Sequence, residues 1–212
     1  DGQIVFYDEK TGIKHIDLPI KEVLSGLPQR VIRDEPPEFL GAPIKWPENL
    51  TVRNSLERVM RLSSVACKDF LVNRVDRSII GLQSRGQACG PLFLPLSDFA
   101  MSCIDYEASW GVATGIGEQP LKMMLDPESG VRMTAAESFL NQSSVKYTDP
   151  ADIKFSINWM WAAKNMRGGV AKLYRAMNAL TDFLLEFKTG GFGGKDSSSL
   201  FTKVAGKIVK SP

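Results

Sequence analysis

The run IKFSINWMWAAKNMRGGVAKLYRAMNALTDFLLEFKTGGFGGKDSSS, residues 153–199, carries the periodicities that decide the fold. Its first part, 153–161, alternates apolar and polar side chains, the period of a half-buried strand. From 169 to 188, Val170, Leu173, Met177, Leu180, Leu184 and Phe187 recur at steps of three and four, while Lys172, Arg175, Asp182 and Glu186 fall elsewhere. That spacing predicts an amphipathic helix with one face on a core. Trp159 and Trp161 read most simply as core aromatics. The Gly-rich stretch after the helix reads as a loop, and KVAGKIVK at 203–210 as a final strand.

Working outward, residues 1–8 read as a short strand, with a turn at Lys10-Thr11-Gly12 and a brief helix after Pro19. The stretch 33–49 holds four prolines and little periodicity, so it is expected to be a connector. Thr51 can cap a helix whose one face is Val52, Leu56, Val59 and Met60. A second short helix is expected over 64–71, strands over 78–82, 98–104 and 110–116, and another helix over 131–147. The chain thus divides into 1–50, a tail with a Pro-rich connector, and 51–212, one domain. The fold class is α+β: a mixed sheet with helices stacked on one face.

The composition narrows the function. The net charge of +2 is spread along the 212 residues, unlike the basic stripe of a nucleic-acid binder, so no nucleic-acid partner is expected. No apolar run approaches the roughly 20 residues that cross a bilayer, so no membrane partner is expected. The beginning, Asp1-Gly2-Gln3, is that expected of a chain processed or excised from a longer one. Cys67, Cys89 and Cys103 match no zinc spacing, and His15 is the one histidine, so they read as reduced thiols of a cytoplasmic protein. Chemistry must then rest on carboxylates, amides, lysines and backbone.

Three features offer such groups. Glu137 and Asn141 stand i,i+4 on a predicted helix, side by side, and their hard oxygens suit Mg²⁺ or Ca²⁺. Spacing alone also fits a solvated polar face. Asp98 opens an apolar strand, where a carboxylate needs donors or a metal, or else simply breaks the turn before it. In GGFGGKDSSS, glycine backbone and Lys195 could converge on an anion, although glycine runs are usually turns. It is not a P-loop, because no helix follows a Gly-Lys-Ser/Thr. GIGEQP at 115–120 shares that ambiguity.

Taken together, IDLPIKEVLSGLPQ, SLERVMRLSSVACKDFLVNRVDRSIIGL, CGPLFLPLSD, GIGEQPLKMMLDPESGVR, AESFLN, INWMWAA and GGKDS resemble the phosphoribosylformylglycinamidine synthase family in order and separation. The resemblance implies the second half of the synthetase core, built of tandem modules similar to aminoimidazole ribonucleotide synthetase. Residues 1–50 then correspond to the end of a C-type domain and its connector, and 51–212 to the N-type α+β domain of the second module. The family converts formylglycinamide ribonucleotide to the amidine with ATP and glutamine. Its second module holds an auxiliary ADP with Mg²⁺. By motif position, Asp98, Glu137 and Asn141 correspond to magnesium ligands, and Lys68, the backbone at Ser97, and Lys195 to nucleotide contacts.

Implied partners are the first module, the C-type domain and the glutaminase domain of the same synthase. A single N-type domain is also expected to self-associate through an uncovered sheet edge and apolar face. The sequence departs from the family pattern at 85–91 (RGQACGP), at Ala136, where glycine is usual, and at Ser198-Ser199-Leu200. Those departures leave open an enzyme-derived, non-catalytic interaction scaffold, of the kind represented by viral synthase homologues.

Overall fold

A computed structural model describes all residues except 1, 27–28, 30, 36–41, 73–80, 94–95, 164–165 and 211–212. The chain forms two compact units, 1–33 and 34–212. In the first, β1 (Gln3–Tyr7) pairs antiparallel with β2 (Lys14–Pro19), and α1 (Ile20–Leu24) follows directly. The turn closes through Asp8, whose side chain accepts from Lys10 N at 2.8 Å, and through Gly12 at φ 69°. Strand β2 was not foreseen. Ile16 and Leu18 do alternate with His15 and Asp17, but the run is short and all its side chains stay exposed, and its pairing with β1 makes it a strand.

In the larger unit, α2 (Val52–Val59) starts at a capping box in which Thr51 and Asn54 bond each other's backbone N–H. Its expected apolar face is largely uncovered; Val52 is 89% exposed and Leu56 59%. The short helix expected over 64–71 is one turn, α3 (Asp69–Val72). Strands β3 (Gln83–Arg85), β4 (Phe99–Cys103) and β5 (Gly111–Gly115) form an antiparallel sheet. The strand expected over 78–82 falls partly on 78–80, outside the described residues, while Gly81 and Leu82 lie in a turn.

α4 (Pro120–Leu125) leads into α5 (Pro127–Asn141). Asp126 caps α5, accepting from Glu128 N at 3.1 Å, Ser129 N at 3.2 Å and the Ser129 hydroxyl at 2.7 Å. Pro127 sits at the first helical position, where its missing N–H costs nothing. The Ser129 hydroxyl, then its N–H, holds the Asp126 carboxyl below the usual range against partial desolvation. The helix expected at 131–147 therefore begins four residues earlier and ends at Asn141.

β6 (Lys154–Met160) half-buries every second side chain, as its alternation predicts. α6 (Gly169–Glu186) then crosses over, and β7 (Gly190–Ser197) pairs parallel with β6. The core joins α5 and α6 to β6 through Val131, Ala135, Trp161, Ala176, Leu180 and Leu184. Alanine at 135, 176 and 179 lets the two helices approach closely, which puts the seam of α6 on Ala176 and Ala179. Met177, assigned to that face by spacing, is 45% exposed. Phe139 meets Phe155 edge-on at 5.2 Å and Phe187 at 5.3 Å, and Phe183 stacks on Phe187 at 4.6 Å. Trp159 and Trp161 are core aromatics as expected, and buried Trp161 Nε1 donates to Gly169 O at 3.0 Å.

Two expectations are corrected. Residues 190–197 form a strand, and Gly194 is needed for its close approach to β6, since a Cβ there would lie 1.9 Å from Ile157 O. The final segment is a hairpin, β8 (Phe201–Val204) with β9 (Lys207–Lys210), turned at Ala205 and Gly206, both at positive φ. The α+β class stands, but in place of one mixed sheet the described strands form four small sheets, three antiparallel and one parallel.

Candidate functional site

Helix α5 presents Glu137 and Asn141 on adjacent turns, and both reach the loop 116–119. Glu137 Oε2 accepts from Glu118 N and from Gln119 Nε2, each at 2.8 Å. Asn141 Nδ2 donates to Ile116 O at 2.8 Å. Gly117 is required by this contact: a Cβ there would stand 1.9 Å from Thr134 O on α5. Each anchor uses one polar atom on the loop. Glu137 Oε1 and Asn141 Oδ1 accept no hydrogen bond from the described residues.

Asp98 arrives at the same end by strand register. The β4–β5 ladder ends at Phe99 opposite Gly115, so Asp98 and Ile116 are the next residues along the two strands. Asp98 is exposed and accepts no hydrogen bond from the described residues. Three hard oxygen donors are thus carried by one helix and one hairpin end, a set suited to a hard divalent cation. Among the described residues no cluster of three or more His, Cys, Asp or Glu forms. Only two members of the candidate set are carboxylates, so any site here depends on the Asn141 amide.

The nucleotide candidates are more dispersed. Ser97 N donates to Gln87 O at 2.7 Å, closing the loop that starts at Gly86. Its hydroxyl accepts from Arg85 Nε at 2.6 Å and donates to Phe99 O at 2.5 Å. The Arg85 guanidinium also lies 4.7 Å over the Phe99 ring. Lys68 is half-buried and donates to Ala66 O at 3.0 Å. Lys195 is exposed on β7 opposite Asn158, in a different sheet from β4, which Asp98 precedes. An open pocket lies over Arg85, Cys89, Phe93 and Phe99, and none of the six candidate residues lines it. Its described lining holds no carboxylate.

Sequence reasoning missed the partners. Gln119 and the Glu118 N–H lie in GIGEQP, a stretch that carries the family resemblance and a glycine-turn reading but no sign of a bond to Glu137. Arg85 carried no signal beyond its charge.

The family model described as FGAR-AT PurM_N-like domain matches residues 67–212. The chain is 39% identical over 203 residues to phosphoribosylformylglycinamidine synthase of Drosophila melanogaster, covering 96% of this chain and 15% of the relative. It is 46% identical over 169 residues to the probable enzyme of Caenorhabditis elegans, covering 80% of this chain and 13% of that protein. With the human enzyme it shares 39% identity over 199 residues, 93% of this chain and 15% of the relative. The chain therefore spans about a seventh of the length of these relatives. With its family model covering residues 67–212, the chain belongs to the FGAR-AT PurM_N-like domain family.

Proposed function

We propose that this chain is part of a phosphoribosylformylglycinamidine synthase, a cytoplasmic ATP- and glutamine-dependent ligase of purine biosynthesis, and that it contributes an auxiliary Mg–ADP site. In this reading residues 51–212 are the N-type domain of the second module, similar to aminoimidazole ribonucleotide synthetase, and 1–50 the preceding tail and connector. They work with the first module, the C-type domain and the glutaminase domain. The observation that carries the reading is the convergence of Glu137 and Asn141 on the loop 116–119, at the hairpin end where Asp98 stands. Magnesium bound there would neutralise the charge of the nucleotide phosphates. Asp98, Glu137 and Asn141 would hold the ion, and Lys68, the Ser97 backbone and Lys195 the phosphates. The chain's own part is to keep these groups oriented, which the hydrogen bonds of Glu137 and Asn141 do for the loop. Conversion of formylglycinamide ribonucleotide requires the other domains, so the 212-residue chain alone is inactive in this reading.

Melting the chain with ADP plus Mg²⁺, and with ADP plus EDTA, tests it. At about 100 times Kd a single site adds roughly 2.7 kcal/mol, only when magnesium is present. An unchanged melting temperature at millimolar MgADP would sink the site. A second reading, a non-catalytic interaction scaffold, draws on the extended state of 190–197 and on the uncovered face of α2, which suits self-association. It predicts no nucleotide effect and a concentration-dependent mass in light scattering.

A further inference from the structure

Helix α6 begins without a cap of its own: Gly168, at the N-cap position with φ 74°, has no side chain to offer. The first N–H groups of a helix have no partner within it and must find acceptors elsewhere. Here the acceptor is far upstream. Asp34 Oδ1 accepts from Gly168 N at 3.0 Å, and Oδ2 from Val170 N at 3.0 Å and Ala171 N at 3.2 Å. Both carboxylate oxygens are engaged, at the positive end of the helix dipole. The Gly168 N–H most of all, then those of Ala171 and Val170, holds the carboxyl below its ordinary range. The same turn is tied to the core, since Trp161 Nε1 donates to Gly169 O.

Among the described residues, little else fastens the start of the Pro-rich connector. Ile44 is 74% exposed and Trp46 71%, so these two side chains bury little. Among the described residues of 34–46, Asp34 alone hydrogen-bonds beyond the connector.

We propose that Asp34 is a latch: its carboxylate, seated on the first turn of α6, docks the start of the Pro-rich connector. Removing that side chain's charge or acceptors then frees the start of the connector.

The test is backbone ¹⁵N relaxation and amide exchange on the 212-residue chain, comparing the parent with Asp34→Ala and Asp34→Asn. The latch predicts an order parameter near about 0.85 at Glu35 in the parent and below about 0.6 in Asp34→Ala. Exchange at Val170 and Ala171 should rise by about tenfold or more. Asp34→Asn, which keeps the size and one acceptor, should fall between, and it carries the test if the alanine variant fails to fold. Unchanged exchange at Val131 and Ala135 on α5 reports an intact core. If Glu35 stays rigid while Val170 and Ala171 exchange faster, Asp34 is only a helix cap and the latch is wrong. If neither changes, the contact is not formed in solution, and the proposal is equally overturned.

Discussion

Replacing Glu137 separates two roles that its geometry combines. Its Oε2 fixes the 116–119 loop through Glu118 N and Gln119 Nε2, and its Oε1 accepts no hydrogen bond from the described residues. Glu137→Ala deletes both loop bonds. At about 1 kcal/mol for each half-solvated bond, the cost is roughly 2 kcal/mol. For a chain of this size that lowers the melting temperature by about 4–8 °C. Glu137→Gln retains a carbonyl acceptor at the same reach, so it should lose no more than about 1 kcal/mol, or roughly 2–4 °C. With MgADP the order changes character. The parent chain should gain roughly 2.7 kcal/mol at about 100 times Kd. The glutamine variant, with an intact loop but no negative charge for the ion, should lose most of that gain. The assay is differential scanning calorimetry of the three proteins with MgADP and with ADP plus EDTA. A glutamine variant that gains as much from MgADP as the parent would show that Glu137 is a loop anchor and not a metal ligand. An alanine variant that melts with the parent would refute the loop bonds themselves.

Two further outcomes follow from the packing. Gly194→Ala places a Cβ 1.9 Å from Ile157 O at a φ of 153°, so β6 and β7 must part there; overpacking of this kind costs about 2–3 kcal/mol. Thermal melting should fall by roughly 4–12 °C, and an unchanged value would contradict the parallel pairing. The Asp126 carboxyl has its folded pKa lowered by Ser129, so its contribution is complete above the unfolded value of about 3.9 and is lost as pH falls through the folded value. Asp126→Asn should therefore cost stability at pH 7 and narrow its difference from the parent between about pH 5 and pH 2. A gap that widens in acid would mean the cap is not ionised.

The parts of the fold that were legible are those whose pattern is local. α6 and β6 follow from periods of 3.6 and 2, because each buries one face on its neighbour. The strand at 190–197 was not legible: its glycines read as a loop until Ile157 is placed against Gly191 and Gly194. The start of α5 was present in Asp126-Pro127-Glu128 as a cap signal and was passed over for the apolar run behind it. In the candidate site, the i,i+4 spacing of Glu137 and Asn141 could be read directly, whereas what they hold could not, since Ile116 lies 25 residues from Asn141. Sequence also could not rank the carboxylates. Asp34 and Asp98 both stand in Pro-containing, irregular stretches, and only the fold tells them apart. Asp34 has both oxygens filled by backbone N–H groups, so an ion could reach it only by breaking the start of α6. Asp98 accepts no hydrogen bond from the described residues, and it stands by register beside the loop that Glu137 and Asn141 hold. Lone-pair satisfaction, a property of the folded chain alone, makes one aspartate a structural pin and leaves the other available to a cation.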